Sequence, residues 1–193
     1  MTNRQAKRAI RLAVIARVLA MSPDDRAKQE AALVAAFPDL PGLAGADTVL
    51  LYASAFPEEF DTRPMLEWTL GAGKRLICPR VDRAEGRLDL CVIGDLDRDF
   101  APGALNIPEP RLTAPRISAV EMDWVLVPGV AYDRSRNRIG RGAGHYDRLL
   151  PTLRPDAPRW SLAFDEQWVE SIPAQPHDQP LDGIVSPGKF QKR

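Results

Sequence analysis

Residues 138–150, RIGRGAGHYDRLL, concentrate side chains and backbone types that suit an anion. Gly140, Gly142 and Gly144 let the main chain take positive φ and approach a ligand with no Cβ in the way. Arg138 and Arg141 add planar guanidinium forks that match phosphate oxygens. A helix starting near Gly144 would turn unpaired N–H groups toward the same anion. Ile139 and Ala143 fill the positions between. A phosphate-binding loop and a flexible turn with solvated arginines both fit this composition. The turn lacks the Gly-Lys-Ser/Thr end of a P-loop and the spacing of a dinucleotide fingerprint, so it is neither of those sites.

Other groups bear on the chemistry. Asp147 reads either as a helix-surface acid or as a ligand of Mg²⁺, which takes one or two carboxylates together with phosphate oxygens and water. Asp178, in the proline-braced segment PHDQPLD (176–182), is a second such acid, with a turn role as its alternative. His145 and His177 lack ligand spacing with each other or with the cysteines, which argues against zinc. No serine sits in a nucleophile elbow, so no hydrolytic triad is supported. Lys7 and Arg11, four apart, read by themselves as a solvated helix face, and Glu58 and Glu59 as loop acids.

These residues need elements to hold them. Ile10, Val14, Val18 and Met21 make an apolar stripe on a first helix, and Ser22-Pro23-Asp24-Asp25 starts a second that runs to about Phe37. TVLLYAS (48–54), RLICPRV (75–81), LDLCVI (88–93), WVLVPG (124–129), RWSLAF (159–164) and LDGIVS (181–186) are strands. A helix capped by Asp61 or Thr62 and stopped at Gly73 follows the first of them. HYDRLLPTL is a short helix, DEQWVESI another, and GDLDRDFAPGALNIPEPRL mostly loop. The alternation predicts a single-domain three-layer α/β/α fold over residues 1–193 with a mainly parallel sheet. Ligands of such sheets gather at the carboxyl ends of strands, which directs attention to the loops after LLYAS, VLVPG and SLAF.

Composition narrows the classes. The 193 residues carry 26 Lys and Arg against 26 Asp and Glu, so the chain lacks the basic excess of a nucleic-acid binder and any positive site is local. Cys78 and Cys91 lie in separate apolar runs and read as buried small hydrophobes. No run of about 18 apolar residues is present, and the arginines in the N-terminal segment argue against a signal peptide. A cytoplasmic, monomeric protein acting on small molecules, without nucleic acid or membrane partners, is the expectation.

Six ordered segments resemble the 5-formyltetrahydrofolate cyclo-ligases. They are Lys7 with Arg11, PEEFDTRPML (57–66), FAPGALNIPEP (100–110), LVPGVAYD (126–133), NRIGRGAGHYDRLL (137–150) and LAFDEQWVESIPAQPHDQPLDGIV (162–185). The fifth is similar to the family signature GxRLGxGGGYYDRFL, with His145 in place of the common tyrosine and Ala143 in place of glycine or lysine. The resemblance implies an ATP- and Mg²⁺-dependent ring closure of 5-formyltetrahydrofolate to 5,10-methenyltetrahydrofolate. It implies that Lys7 and Arg11 contact ATP phosphates and that the loop Arg138, Ile139, Gly140, Arg141, Gly142, Ala143, Gly144, His145 and Tyr146 cradles the nucleotide. Lys7 and Arg141 would act in the phosphoryl step. Glu59 would hold the pterin, with Arg141, Gly142, Gly144 and His145 lining the folate pocket, and Asp147 and Asp178 would attend Mg²⁺. A histidine at 145 would add a group that titrates near neutral pH. A non-catalytic folate-binding relative is the alternative; a sugar-phosphate isomerase or a CoA transferase fits the glycine loop poorly.

Overall fold

The computed structural model describes residues 2–102, 108–175 and 178–192. Among them are helices α1 (Asn3–Leu19), α2 (Pro23–Ala36), α3 (Arg63–Gly71) and α4 (His145–Leu149). The strands are β1 (Thr48–Leu50), β2 (Arg75–Asp82), β3 (Arg87–Ile93), β4 (Phe100–Pro102), β5 (Pro108–Pro110) and β6 (Arg116–Ile117), then β7 (Trp124–Leu126), β8 (Ala131–Tyr132), β9 (Arg138–Ile139), β10 (Arg159–Leu162), β11 (Gly183–Ser186) and β12 (Lys189–Lys192).

Eight strands form one sheet in the order β12-β11-β10-β7-β1-β2-β3-β6. The pairs β11-β10, β10-β7, β7-β1 and β1-β2 are parallel, and β12, β3 and β6 add antiparallel edges. The middle strands β1, β7 and β10 are almost wholly buried and mostly apolar because both faces are covered. On one face Val14 and Val18 of α1, Leu33 of α2 and Met65 and Leu66 of α3 pack on Val49, Leu76, Trp124, Leu126 and Leu162. On the other, Leu149 of α4 with Leu150 and Leu153 packs on Leu50, Ile77, Val125 and Val127. This is the expected three-layer α/β arrangement.

The caps follow the sequence. Ser22 accepts the Asp25 N–H with Pro23 at the first helical position. Gly73 ends the α3 segment at φ +71°. Thr62 precedes α3 without capping it, because its hydroxyl accepts the Ser54 N–H instead.

Three expectations shift. The run 48–54 is a strand only to Leu50. Leu51 still donates to the Ile77 carbonyl, and the chain then turns away toward the Glu58–Glu59 loop. DEQWVESI forms a single 3-10 turn, Asp165–Gln167, in place of a helix. Tertiary hydrogen bonds claim its residues: Gln167 Nε2 donates to the Gly129 and Val130 carbonyls, and Trp168 Nε1 to the Ser186 hydroxyl. The stretch read as mostly loop contains the antiparallel pair β4-β5; residues 103–107 of it lie outside the described part.

Candidate active site

Beyond β7 the chain makes the small β8-β9 hairpin before reaching the glycines. Asp133 organises its turn: Oδ1 accepts the N–H groups of Ser135 and Asn137, and Oδ2 accepts Asn137 Nδ2 and the Ile172 N–H. Arg136 takes φ +63° there and its Nε donates to the Leu181 carbonyl, so it braces the hairpin and does not face the site. Strand β9 then delivers the loop 140–144. Gly142 at φ +102° and Gly144 at +68° use the freedom glycine alone has at low cost. Helix α4 has only five residues, so the positive field of the loop comes from side chains more than from a helix terminus.

Cations from distant parts of the sequence meet this loop. Arg11 of α1 donates through Nε to the Gly140 carbonyl at 2.8 Å. Its Nη2 lies 3.4 Å from where a Cβ on Gly142 would stand. Partial burial, and secondarily the Arg141 charge, lower the Arg11 pKa. Lys7, one turn earlier, pairs with Asp178 at 2.5 Å, both side chains 16% exposed. Arg141 reaches across to the loop after β1. Its Nη2 donates to Glu58 Oε1 at 2.6 Å, its Nε lies 3.6 Å from Glu59 Oε1, and its guanidinium sits 3.1 Å from the Phe56 ring centroid.

Glu59 Oε2 accepts the N–H groups of Ala55 and Phe56 at 2.8 and 3.2 Å. Burial raises its carboxyl pKa, and the Ala55 N–H, the Arg141 charge and the Phe56 N–H only partly oppose the shift. The chain's three tyrosines, Tyr52, Tyr132 and Tyr146, are gathered around this acid. Each phenol is pushed up chiefly by burial, with the Glu59 charge adding to it; for Tyr132 the result is about 12. Among the described residues the buried Tyr146 hydroxyl has no hydrogen-bond partner, and neither has Nε of Arg138. Such orphaned polar groups are expensive in a folded interior and are a mark of a site that a ligand or water completes.

Arg138 and Asp147 are joined at 2.6 Å, with Arg138 nearly buried and its guanidinium 5.9 Å from the Tyr146 ring. Both acids that the resemblance implies for Mg²⁺ therefore carry a cationic partner, Asp147 with Arg138 and Asp178 with Lys7. Among the described residues no group of three or more His, Cys, Asp or Glu forms a metal cage. A metal held mainly by phosphate oxygens, with one or two carboxylates, fits this donor set; a protein-only site does not. His145 lies apart from Arg11, Arg141 and Glu59. Its Nδ1 is 3.2 Å from the Gly86 carbonyl in the β2–β3 turn, and its ring lines a cavity of about 350 Å³ with Leu88, Leu90, Ile117 and Leu149. His177 lies outside the described residues. Cys78 and Cys91 are buried opposite one another on β2 and β3, and burial raises both thiols.

Sequence reasoning passed over Glu58 and Phe56. The only signal was the acid pair itself, since nothing in a linear reading tells which of two adjacent glutamates turns toward Arg141.

A parallel sheet that collects cations, a glycine turn and a buried acid at the carboxyl ends of its strands has the layout of an α/β enzyme. Residues 3–187 match the model of the 5-formyltetrahydrofolate cyclo-ligase family. The 5-formyltetrahydrofolate cyclo-ligase of Escherichia coli strain K12 is 31% identical over 151 residues, covering 77% of this chain and 82% of that protein. That of Mus musculus is 25% identical over 195 residues, 95% of each chain. The NMR structure of Aquifex aeolicus 5,10-methenyltetrahydrofolate synthetase superposes with a TM-score of 0.83 at 27% identity, over 96% of this chain and 92% of that one. The chain belongs to the 5-formyltetrahydrofolate cyclo-ligase family and is an enzyme of that family.

Proposed function

We propose that the enzyme closes 5-formyltetrahydrofolate to 5,10-methenyltetrahydrofolate, consuming ATP with Mg²⁺ and releasing ADP and phosphate. The observation that carries this reading is the meeting of Arg11 and Arg141 at the glycine turn, beside the buried carboxyl of Glu59. A formyl oxygen is a weak nucleophile and a poor leaving group, so the ring cannot close directly. Attack of that oxygen on the γ-phosphate breaks the bond to ADP and gives an imidate phosphate. N10 then adds to the activated carbon, and its proton and the phosphate depart as the new C–N bond is completed.

Phosphoryl transfer asks for alignment and charge neutralisation more than covalent help. Lys7, Arg11, Arg138 and Arg141 supply fixed positive charge, and the main chain of Ile139 to Tyr146 supplies close approach. Arg138 Nε, buried and unpartnered, is a donor ready for a ligand oxygen. Glu59 suits the paired N–H donors of a pterin, and its two oxygens split the work: Oε2 is fixed by the Ala55 and Phe56 N–H groups while Oε1 faces outward toward Arg141. Arg141, Gly142 and Gly144 would border the folate, whereas His145, turned toward Gly86, would not. Mg²⁺, bound with the triphosphate, supplies further neutralisation of the phosphate charge, with Asp147 and Asp178 as the carboxylates at hand. Phe56 beneath Arg141 shields the centre from water, which would hydrolyse the imidate phosphate.

The test is a near-ultraviolet absorbance assay for the methenyl product with 5-formyltetrahydrofolate, ATP and Mg²⁺. Product formation that stops when ATP is withheld is expected; no product, or product without ATP, rejects the reading.

A further inference from the structure

We infer that Glu58 is a positioning residue: it holds the Arg141 guanidinium over the Phe56 ring, aimed into the site, and leaves Glu59 free for the ligand. The inference rests on the proposed role of Arg141 and adds a residue to it.

A glutamate side chain only 8% exposed is costly in charged form unless it is paired, and the cation that meets it is Arg141 at 2.6 Å. The tie is one-sided. Nη2 goes to Glu58, while Nε lies 3.6 Å from Glu59 Oε1, beyond hydrogen-bond length. The guanidinium carbon of the same group sits over the Phe56 ring, 3.1 Å from its centroid. The hydrogen bond and the ring contact together restrict where the group can go. They are needed because Arg141 stands between Gly140 and Gly142, on a loop whose backbone does little to restrict a long side chain.

Phe56, Glu58 and Glu59 come from one tight turn, closed by the Glu59 N–H donating to the Phe56 carbonyl at 2.9 Å. That turn supplies a platform, an anchor and a ligand acid within four residues. Charge balance points the same way. Arg141 lowers the proton affinity of Arg11, so the two guanidiniums repel before any anion arrives. A carboxylate hydrogen-bonded to Arg141 offsets the repulsion. Without Glu58 the acid left near Arg141 among the described residues is Glu59, and Arg141 would collapse onto the group that the pterin needs.

The test is a double-mutant cycle on the full-length enzyme with Glu58→Ala, Arg141→Ala and the double variant, reading the ATP Kd by equilibrium dialysis, and kcat and both KM values by product absorbance. Arg141→Met, which keeps the length of the stem and removes the charge, replaces Arg141→Ala if the latter binds no ATP. Glu58→Ala should lower kcat/KM for ATP about 10- to 100-fold, the scale of a lost charge-assisted hydrogen bond. In the Arg141 variant the same change should cost less than about twofold, because the partner is already gone. Glu58→Gln, which keeps volume and one acceptor oxygen, should recover part of the loss and serves as the second variant if Glu58→Ala fails to fold. An equal loss in both backgrounds, or no loss in the parent, overturns the inference. Failure of the underlying reading is separate: it would show as parent enzyme indifferent to ATP.

Discussion

Arg11 in α1 donates its Nε–H to the main-chain oxygen of Gly140, 129 positions later, at 2.8 Å. This one bond fastens the N-terminal helix to the glycine-rich turn and sets two guanidiniums, Arg11 and Arg141, side by side. The positive charge of the site is thus a product of assembly, because the chain as a whole has no net charge.

Gly142 is a position where this assembly depends on the freedom of glycine. It holds φ +102°, and an added Cβ would stand 3.4 Å from Arg11 Nη2. Gly142→Ala should lose about 1 kcal/mol or more in urea unfolding from the backbone strain. It should also lower kcat/KM for ATP by about tenfold or more by reshaping the loop that carries Arg141. Parent-like values for both would mean the loop adapts and its shape is not needed.

Glu59 should impose a pH dependence of definite sign. Burial raises its pKa in the folded chain, so between the ordinary carboxyl range and the raised value the folded state holds more protons than the unfolded one. Unfolding free energy therefore falls as pH rises through that window, and Glu59→Gln should flatten this part of the profile. Folate use should run the opposite way: the carboxylate accepts the pterin donors, so kcat/KM for the folate climbs over the same window. Denaturation and kinetics against pH for parent and variant check both limbs. An unchanged stability profile in Glu59→Gln would remove the acid as their source.

The ion pair of Lys7 and Asp178 is mostly shielded from water, and Asp178 Oδ2 also accepts the Gln175 N–H at 2.7 Å. Lys7→Ala should cost about 1–3 kcal/mol of stability by leaving the acid without its cation. The ATP KM should rise well beyond any change in the folate KM. A larger effect on the folate KM would move Lys7 out of the nucleotide's reach.

Much of the architecture was legible in advance for local reasons. Ser22 with Pro23 marks a helix start by chemistry that needs no tertiary partner, and Val14 and Val18 mark the buried stripe of α1 by spacing alone. Within WVLVPG and LDGIVS the buried strands Trp124–Leu126 and Gly183–Ser186 were legible because a two-sided core leaves little polar alternation, although each strand is shorter than the run. DEQWVESI failed because Gln167 and Trp168 spend their polar groups on Gly129, Val130 and Ser186, partners far off in sequence. The brief strand β9 was missed since two residues carry no periodicity.

Residue types and order set out, from the chain alone, a parallel-sheet α/β enzyme with a glycine turn, flanking arginines and scattered acids, since propensity and apolar pattern are local properties. Which acid meets which cation was decided only by folding: Arg138 with Asp147, Lys7 with Asp178, and Arg141 with Glu58. The turn of His145 toward Gly86 was decided in the same way. Ion pairing and burial depend on distances across the fold, and a linear sequence with equal numbers of opposite charges permits many pairings until packing selects one.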